Sequence, residues 1–389
     1  HPDTPLADTC FTASVGRSHF EHRLAVVAGS PVDASERLRT ADYIAGKVSH
    51  GKSKLAFLFT GQGSEYPDMG RQLYETEPVF RQALSRCDAI LGLFLDTPLI
   101  ELLYAGPPNP NMHLLKEMSY LQPTLFSLQY SLAELWKSWG VFPDVVMGHS
   151  AGEYAAACVA GVFGLEDGLK FIASRGRLMQ TRCERGAMLA LSVGEEKALE
   201  IIAPFAKEVS IATINSPESV VVSGRPEAIA SIEAGLAGQE EIDFKLLPIP
   251  LAAHSAMVEP MLPEFEEVAK SITYARPVIP LCSNVTGRIV SDEIATPEYW
   301  LRHLRQPVRF AAGAAALHEE GFEAFLEVGP KPALLGMTRQ CLPDDVAGVW
   351  LPSLRQDQED WRQLLQSLGE WYTRGGTVDW QAFHEAADD

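Results

Sequence analysis

Ser150 lies in a segment whose residue types suit a catalytic nucleophile. The pentapeptide Gly148-His-Ser-Ala-Gly152 follows a short apolar run at 145–147 and precedes residues 153–159, which are rich in small helix formers. A G-x-S-x-G turn between a strand and a helix exposes a serine at a strained position, and its two glycines relieve backbone clashes. Such a serine could carry an acyl group as an ester, which splits one difficult transfer into two easier steps.

This chemistry needs a base, because a serine hydroxyl near its free pKa is a weak nucleophile. Of the ten histidines, five lie in the flanking segments, three have helical polar neighbours and His149 adjoins the serine. His254, in a predicted loop, is the best candidate by elimination. No Asp or Glu offers itself as a third member, and a backbone carbonyl could accept the Nδ1 proton instead.

Backbone N–H groups could stabilise the oxyanion of an acyl-transfer intermediate here. The first N–H groups of the helix after Ser150 have no partner within that helix. The apolar run 55–59 predicts a buried parallel strand, and Thr60-Gly-Gln-Gly-Ser64 follows it directly. The glycines around Gln62 leave its N–H free to face a site, as a second oxyanion donor would require. A plain glycine turn between strand and helix is the other interpretation, and these residues taken alone favour it.

Arg175 and Arg177 are the arginines of the predicted helix 165–180, which follows the serine turn in the chain. Arginines on a helix usually extend into solvent, and that is one interpretation of this pair. The other is that one of them binds an anionic substrate. An acidic chain does not exclude this, because such a site needs only one well-placed cation.

The composition narrows the class of protein. The 389 residues, 46% of them hydrophobic, allow two or three globular domains. A formal net charge of −19 argues against nucleic acid as a partner, since phosphate contacts need basic patches. The six cysteines show no metal-ligand spacing, so we expect a reduced, cytoplasmic protein without a metal site.

No apolar stretch reaches the length of a membrane span, and the N-terminus shows no signal-peptide pattern. We therefore expect no membrane partner. The chain begins with His1 and Pro2, which suggests a piece of a longer polypeptide.

The order of predicted elements indicates an α/β fold in which one subdomain interrupts another. Residues 53–185 and 250–345 predict an α/β-hydrolase-like large subdomain around the serine turn. Residues 186–249 show the order β-α-β-β-α-β, which is the split βαβ of ferredoxin-like domains. They predict a small subdomain inserted into the larger one.

Two shorter segments flank these subdomains. Residues 1–52 predict a small α/β linker domain, with a strand at 22–27 and a helix at 33–47. Residues 346–389 predict a closing segment that consists of an exposed linker followed by a helix.

Six motifs together resemble the malonyl-CoA:acyl carrier protein transacylases, and more closely the acyltransferase domains of modular polyketide synthases. They are Phe59-Thr-Gly-Gln-Gly-Ser64, Gly148-His-Ser-Ala-Gly-Glu153, Ser174-Arg-Gly-Arg-Leu-Met-Gln180, Val220-Val-Val-Ser-Gly224, Ala253-His-Ser255 and Glu327-Val-Gly-Pro330. Residues 19–27 resemble the linker between a ketosynthase and an acyltransferase. Residues 351–354 and 378–380 resemble the linker that follows the acyltransferase. The likeness covers nearly the whole chain.

The resemblance implies catalytic roles for the matching residues. Ser150 would be the nucleophile and His254 the base, and the backbone carbonyl of Gln306 would orient the imidazole. The backbone N–H groups of Gln62 and Ala151 would form the oxyanion hole.

The resemblance also implies the substrates. Arg175 would pair with the free carboxylate of a malonyl group, and Gln122 and Asn215 would line the pocket. The acyl donor would be malonyl-CoA, and the acceptor would be the phosphopantetheine thiol of an acyl carrier protein. A ketosynthase domain would adjoin this one in the parent chain, and the domain itself would bind no cofactor.

The choice of extender unit depends on the residues around the base and the nucleophile. Malonyl-selective domains often carry His-Ala-Phe-His and methylmalonyl-selective domains Tyr-Ala-Ser-His, whereas this chain has Leu251-Ala-Ala-His254. The small Ala253 leaves room for a substituent at C2. Ala151 is apolar where methylmalonyl domains often have glutamine. We expect malonyl, with methylmalonyl or another C2-substituted malonyl as the alternative.

Two functions from other classes remain open on the sequence. A serine hydrolase or thioesterase of the α/β-hydrolase type shares the serine turn, but it expects an acidic residue between the serine and the histidine. A non-catalytic docking module would use the flanking linkers as its working surface.

Overall fold

A computed structural model describes residues 4–48, 53–106, 109–238 and 242–385. Twelve strands lie in these ranges. They are β1 (His22–Ala25), β2 (Ile44–Lys47), β3 (Leu55–Phe59), β4 (Val145–Gly148), β5 (Ala187–Leu191), β6 (Val209–Ser216), β7 (Ser219–Gly224), β8 (Phe244–Leu246), β9 (Leu281–Cys282), β10 (Ile289–Val290), β11 (Ala324–Val328) and β12 (Val349–Pro352).

Sixteen α-helices occupy much of the remaining described chain. They are α1 (Leu6–Ser14), α2 (Pro31–Arg39), α3 (Arg71–Thr76), α4 (Pro78–Leu91), α5 (Leu99–Tyr104), α6 (Met118–Ser138), α7 (Gly152–Val159), α8 (Leu165–Arg182), α9 (Glu195–Ile202), α10 (Pro226–Leu236), α11 (Leu262–Lys270), α12 (Pro297–Arg305), α13 (Phe310–Glu319), α14 (Ala333–Cys341), α15 (Asp360–Thr373) and α16 (Trp380–Glu385).

The large subdomain is built on a six-stranded sheet in the order β10-β9-β4-β3-β11-β12. The five strands from β9 to β12 in this order are parallel, and β10 is antiparallel to β9. Alternate side chains of the central strand β3 enter two hydrophobic clusters, one on each face of the sheet. Both faces are therefore covered, which is why β3 is an uninterrupted apolar sequence.

The small subdomain is a four-stranded antiparallel sheet in the order β6-β7-β5-β8, with α9 and α10 in its core cluster. Numbered within the insertion, this order is 2-3-1-4, and the chain runs β-α-β-β-α-β as predicted. The predicted fold class, an α/β-hydrolase-like subdomain that carries a ferredoxin-like insertion, is confirmed.

The predicted helix at 33–47 is wrong in its second half. Helix α2 ends at Arg39, Ala41 has φ +59°, and Ile44–Lys47 pairs antiparallel with β1. The spacing of the apolar residues 34, 38, 41 and 44 suits a helix. The left-handed conformation of Ala41 instead reverses the direction of the chain, so that the following residues pair antiparallel with β1. The predicted boundary after residue 52 adjoins 49–52, outside the described residues.

The closing segment also differs from its prediction. An exposed linker was expected from Leu351 onward, yet residues 349–352 form β12, which pairs in parallel with β11, and Leu351 is fully buried. The large sheet therefore extends past the predicted boundary at 345. The helix that follows, α15, packs closely on β1 and β2. The approach is so close that a Cβ added at Gly369 would lie 3.0 Å from the Ala25 side chain.

Among the helices of the described ranges, none combines the length and apolarity that a bilayer crossing requires.

Candidate active site

Ser150 occupies a strained turn between β4 and α7, at the carboxyl end of the central parallel strands. Its φ of +51° falls in the left-handed region, which side chains rarely adopt. A Cβ at Gly148 would clash with the backbone of Glu153, and one at Gly152 would clash with the Phe59 carbonyl. Glycine at these two positions is thus a steric requirement of the turn, as the sequence predicts.

Asn284, two residues after the neighbouring strand β9, holds this turn. Its Oδ1 accepts the backbone N–H of Ser150 at 2.7 Å, and its Nδ2 donates to the Gly148 carbonyl at 2.6 Å. The Asn284 N–H donates in turn to the Glu153 carboxyl group, which also accepts a hydrogen bond from Tyr299. These bonds fasten both sides of the serine to buried structure, so the strained conformation is retained.

His254 lies directly beside the serine. The distance from Ser150 Oγ to His254 Nε2 is 2.8 Å, and Nδ1 of the same ring is 2.9 Å from the backbone carbonyl of Gln306. When Nδ1 carries the proton and donates it to that carbonyl in a hydrogen bond, Nε2 is unprotonated and can accept the serine proton. Gln306 follows the last turn of α12, and the negative end of this helix dipole favours the imidazolium that forms when the proton moves.

His254 is only 1% exposed. Burial, with a further contribution from the positive charge of Arg175, lowers the pKa of His254 to about 3. The imidazole is therefore neutral, and able to act as a base, throughout the physiological pH range.

We expect the rate of Ser150 acylation to stay nearly constant between pH 5 and 7. A histidine with an ordinary pKa would lose roughly 25-fold of its neutral form over this range, whereas His254 stays deprotonated because its pKa lies below the range. Single-turnover release of coenzyme A, followed by stopped flow, measures this rate. A fall of more than about tenfold would contradict a neutral His254.

Glu327→Gln is the control for this experiment. Burial raises the pKa of Glu327 to about 7, so its titration could mimic that of a base. A residual slope that disappears in the variant belongs to Glu327 and not to His254.

Arg175 projects from α8 into the buried interior beside the serine. It is 1% exposed, and its Nη2 lies 3.5 Å from Ser150 Oγ. Its Nε and Nη1 have no hydrogen-bond partner in the part of the chain described, and the guanidinium faces the Tyr154 ring at 5.5 Å. Burial lowers the pKa of Arg175 from its ordinary value. The solvent-exposed interpretation is wrong for Arg175, while Arg177 in the same helix is exposed.

Donors left open in a buried guanidinium are unfavourable unless an anion pairs with them. A carboxylate would match this geometry, since it can accept two parallel N–H bonds from one guanidinium.

The two predicted oxyanion donors belong to the serine turn, at Ala151, and to the 60–63 loop, at Gln62. Among the described residues, neither the Gln62 N–H nor the Ala151 N–H donates to another protein atom. A Cβ at Gly61 would lie 2.9 Å from the His149 carbonyl, so the 60–63 loop packs directly on the turn. Both N–H groups therefore remain available as hydrogen-bond donors, as an oxyanion hole requires.

Buried polar groups hold this loop at Thr60. The Thr60 hydroxyl donates to Glu327 at 3.1 Å, and its carbonyl accepts the Gln129 amide at 2.6 Å. Glu327 also accepts the N–H groups of Leu334 and Leu335, at 2.9 and 2.8 Å, at the start of α14. The loop is thus anchored to the neighbouring strand β11.

The three remaining predicted pocket residues do not contact the serine through hydrogen bonds in the described structure. The Gln122 amide donates to the Met179 sulfur at 3.4 Å, and its Oε1 lacks a partner among the described residues. Asn215 Oδ1 lies 2.9 Å from His149 Nε2, and the Ala253 carbonyl accepts the Ser223 hydroxyl at 2.7 Å. Asn215 therefore orients the neighbour of the nucleophile.

His303, Asn284 and Glu153 were missed as site residues. His303 is fully buried, its ring centre lies 6.0 Å from that of His254, and its Nε2 lies 3.9 Å from the Glu153 carboxyl group. The sequence held a weak indication that His303 is buried, because it falls four residues after Tyr299 and so lies on the apolar face of α12. Asn284 follows a two-residue strand and gave no signal in the sequence.

A cleft of about 760 Å³ lies between the two subdomains and is lined by Gln62 together with mainly apolar residues of both. Ser150, His254 and Arg175 are not among its lining residues. A thioester bound in this cleft would lie beside the predicted oxyanion donor Gln62. The combination of serine, neutral histidine, open N–H groups and buried arginine suits the transfer of an acyl group that carries a carboxylate.

Comparisons with known proteins agree with this chemistry. The acyl transferase domain family matches residues 56–378, and a family described as CurL-like, PKS C-terminal matches residues 1–38. The spectinabilin polyketide synthase system protein NorB of Streptomyces orinoci is 41% identical over 333 residues. That alignment covers 85% of this chain but only 15% of NorB.

Solved structures share the fold. The acyl transferase domain of ZmaA has a TM-score of 0.92 at 35% identity, with 99% of this chain and 90% of that chain covered. The malonyl CoA-acyl carrier protein transacylase of Clostridium perfringens has a TM-score of 0.72 at 26% identity. Here 82% of this chain and 98% of that chain are covered.

Proposed function

Since the chain belongs to the acyl transferase domain family, and is an acyltransferase of the kind found in polyketide synthases, we propose that it transfers a malonyl extender unit. The donor is malonyl-CoA and the acceptor is the phosphopantetheine thiol of an acyl carrier protein. The observation that carries the proposal is the fully buried Arg175, with open donors, 3.5 Å from Ser150 Oγ.

In the first half-reaction, Ser150 Oγ attacks the thioester carbonyl while His254 Nε2 takes the hydroxyl proton. The N–H groups of Gln62 and Ala151 stabilise the oxyanion of the tetrahedral intermediate. As the intermediate collapses, the C–S bond breaks, and His254 returns the proton to the departing thiolate of coenzyme A. The malonyl group is left as an ester on Ser150.

The second half-reaction reverses these roles. The phosphopantetheine thiol gives its proton to His254, and its sulfur attacks the ester carbonyl. The C–O bond to Ser150 then breaks, and the same proton returns to the serine oxygen. Both steps therefore use the same serine, the same histidine and the same backbone N–H groups.

Arg175 supports a substrate with a free carboxylate, because burying this cation without an anion is unfavourable. The choice between malonyl and a C2-substituted malonyl rests on finer contacts. Ala253 is small and buried, and one methyl group changes binding in an apolar pocket by only about 1–3 kcal/mol. We propose malonyl, and competition between substrates decides it.

The deciding experiment is intact-protein mass spectrometry after brief mixing with malonyl-CoA, methylmalonyl-CoA and acetyl-CoA together. We expect one malonyl adduct, mapped to Ser150 by peptide analysis. A dominant methylmalonyl adduct would reverse the extender choice and keep the mechanism. A dominant acetyl adduct would refute the role of Arg175, and a protein that acquires no adduct would refute the acyl-enzyme.

The flanking segments support a neighbouring ketosynthase domain as a partner. Large apolar side chains on the N-terminal unit are exposed, with Phe20 at 74% and Val32 at 73%. We propose that this unit, residues 1–52, and helices α15 and α16, which lie within 346–389, link the acyltransferase to adjacent domains of a longer synthase. Removing the exposed side chains should weaken that contact without changing acylation of Ser150.

A further inference from the structure

The cleft between the subdomains has mainly apolar walls and few charges. Three charged residues line it, namely Glu65, Lys116 and Arg185, and most of the other lining side chains are apolar. The cleft thus carries one excess positive charge in a chain whose formal net charge is −19. A positively charged cleft on a protein with a negative net charge indicates that the ligand carries an anionic group.

The two cations have no partner among the residues that the structure describes. Within the described ranges, neither Lys116 nor Arg185 takes part in an ion pair or a hydrogen bond, and both are exposed. Arg182, three residues before Arg185, is paired with Glu264 at 2.6 Å. Arg225 is paired with Glu184 at 3.6 Å. The neighbouring arginines are thus neutralised, whereas the two that line the cleft are not.

Glu65 does not neutralise them. Both of its carboxyl oxygens accept the Gly63 N–H, at 3.0 and 2.9 Å, so the group is held against its own loop. Burial raises the pKa of Glu65, and Lys331 is a cation close to it. Lys116 and Arg185 remain available to a ligand.

The two cations belong to different segments of the chain that both line the cleft. Lys116 ends a short 3₁₀ helix, Met112–Lys116, in the large subdomain. Arg185 lies at the crossing into the small subdomain. The next residue, Gly186, packs against Ala252, because an added Cβ would lie 2.5 Å from the Ala252 side chain. Gln62, the proposed oxyanion donor, lines the same cleft.

We propose that Lys116 and Arg185 bind the phosphate of the phosphopantetheine arm. The proposal rests on the proposed function, and the arm is common to both thioester substrates, coenzyme A and the carrier protein. The phosphopantetheine arm is long and carries no charge between its ends, so a cleft with few charges can hold it, and its thiol and phosphate lie at opposite ends. Arginine and lysine are the residues that bind phosphate oxygens, through charge-assisted hydrogen bonds.

The first test uses Lys116→Gln, Arg185→Gln and the double variant with three malonyl thioesters. These are malonyl-CoA, malonyl-phosphopantetheine and malonyl-pantetheine, which lacks the phosphate. The double variant should raise KM about tenfold for the first two substrates, with kcat unchanged. The KM for malonyl-pantetheine should not change. Arg182→Gln, which removes a paired arginine outside the cleft, should leave all three values unchanged.

The outcomes separate this site from the proposed function. Equal losses with and without the phosphate would overturn the site, because the side chains would then be structural. A loss with malonyl-CoA alone would assign the cations to the other phosphates of coenzyme A and would also overturn it. A wild-type protein that accepts none of the three thioesters would instead overturn the proposed function.

The second half-reaction provides an independent test. Malonyl-enzyme is prepared, separated from coenzyme A and mixed with holo acyl carrier protein or with free pantetheine. The double variant should slow transfer to the carrier protein about tenfold and leave transfer to pantetheine unchanged. Unchanged transfer to the carrier protein would overturn a site shared by both substrates.

Discussion

Ser150→Ala should leave no covalent acyl group on the protein after mixing with malonyl-CoA, and transfer to a carrier protein should fall at least about 10⁴-fold. The reason is that the proposed mechanism holds the acyl group as an ester on Ser150 Oγ, which lies 2.8 Å from His254 Nε2. Among the described residues, no other hydroxyl group is hydrogen-bonded to this nitrogen. Intact-protein mass spectrometry and a carrier-protein loading assay measure the two effects.

Ser291→Ala is a matched control, because Ser291 is exposed and lies outside the site. It should acylate like the wild type. A malonyl adduct that persists on Ser150→Ala would contradict the proposed nucleophile. Circular dichroism shows whether the variant is folded, and so separates lost chemistry from lost structure.

Arg175→Ala should reduce the acylation rate with malonyl-CoA by about 150- to 5,000-fold, while acetyl-CoA loses far less. A buried carboxylate without its cation costs about 3–5 kcal/mol, which corresponds to this range of rates. Acetyl carries no carboxylate, so it has no such interaction to lose. The measurement is kcat/KM for each thioester, and the decisive quantity is the ratio of the two.

Arg177→Ala is the matched control, since Arg177 lies two residues further along the same helix and is exposed. It should leave both substrates unchanged. Equal losses for malonyl and acetyl in Arg175→Ala would mean that Arg175 supports the site without reading the carboxylate. Arg175→Lys keeps the charge but loses the paired N–H geometry, so it should recover only part of the malonyl rate.

The serine turn could be predicted from sequence because its determinants are local. A strand, two glycines and a helix start fall within a few residues of Ser150, and clashes at Gly148 and Gly152 require glycine in the structure too. The glycine turn that carries Gln62 was predictable for the same reason. His254 was found by elimination among few histidines, which is a weaker argument.

The burial of Arg175 could not be predicted in this way. Whether an arginine on a helix is exposed depends on which elements pack over it, and Arg175 and Arg177 look alike in sequence. The same holds for Asn284, whose hydrogen bonds reach a segment more than a hundred residues away. Residues 44–47 and 349–352 were misassigned because a short strand is determined by its partner, here β1 or β11.

The carbonyl that orients His254 belongs to a segment, 306–309, that is bonded to both subdomains. Val308 exchanges backbone hydrogen bonds of 2.8 Å with Ala212 and Ile214 of β6, and the Arg309 N–H donates to the Asn284 carbonyl at 2.8 Å. One side of the segment therefore follows the small subdomain, and the other follows the serine turn. A rotation of the subdomains that widens the cleft must strain the segment 306–309. The orientation of the His254 imidazole therefore depends on the separation of the two subdomains.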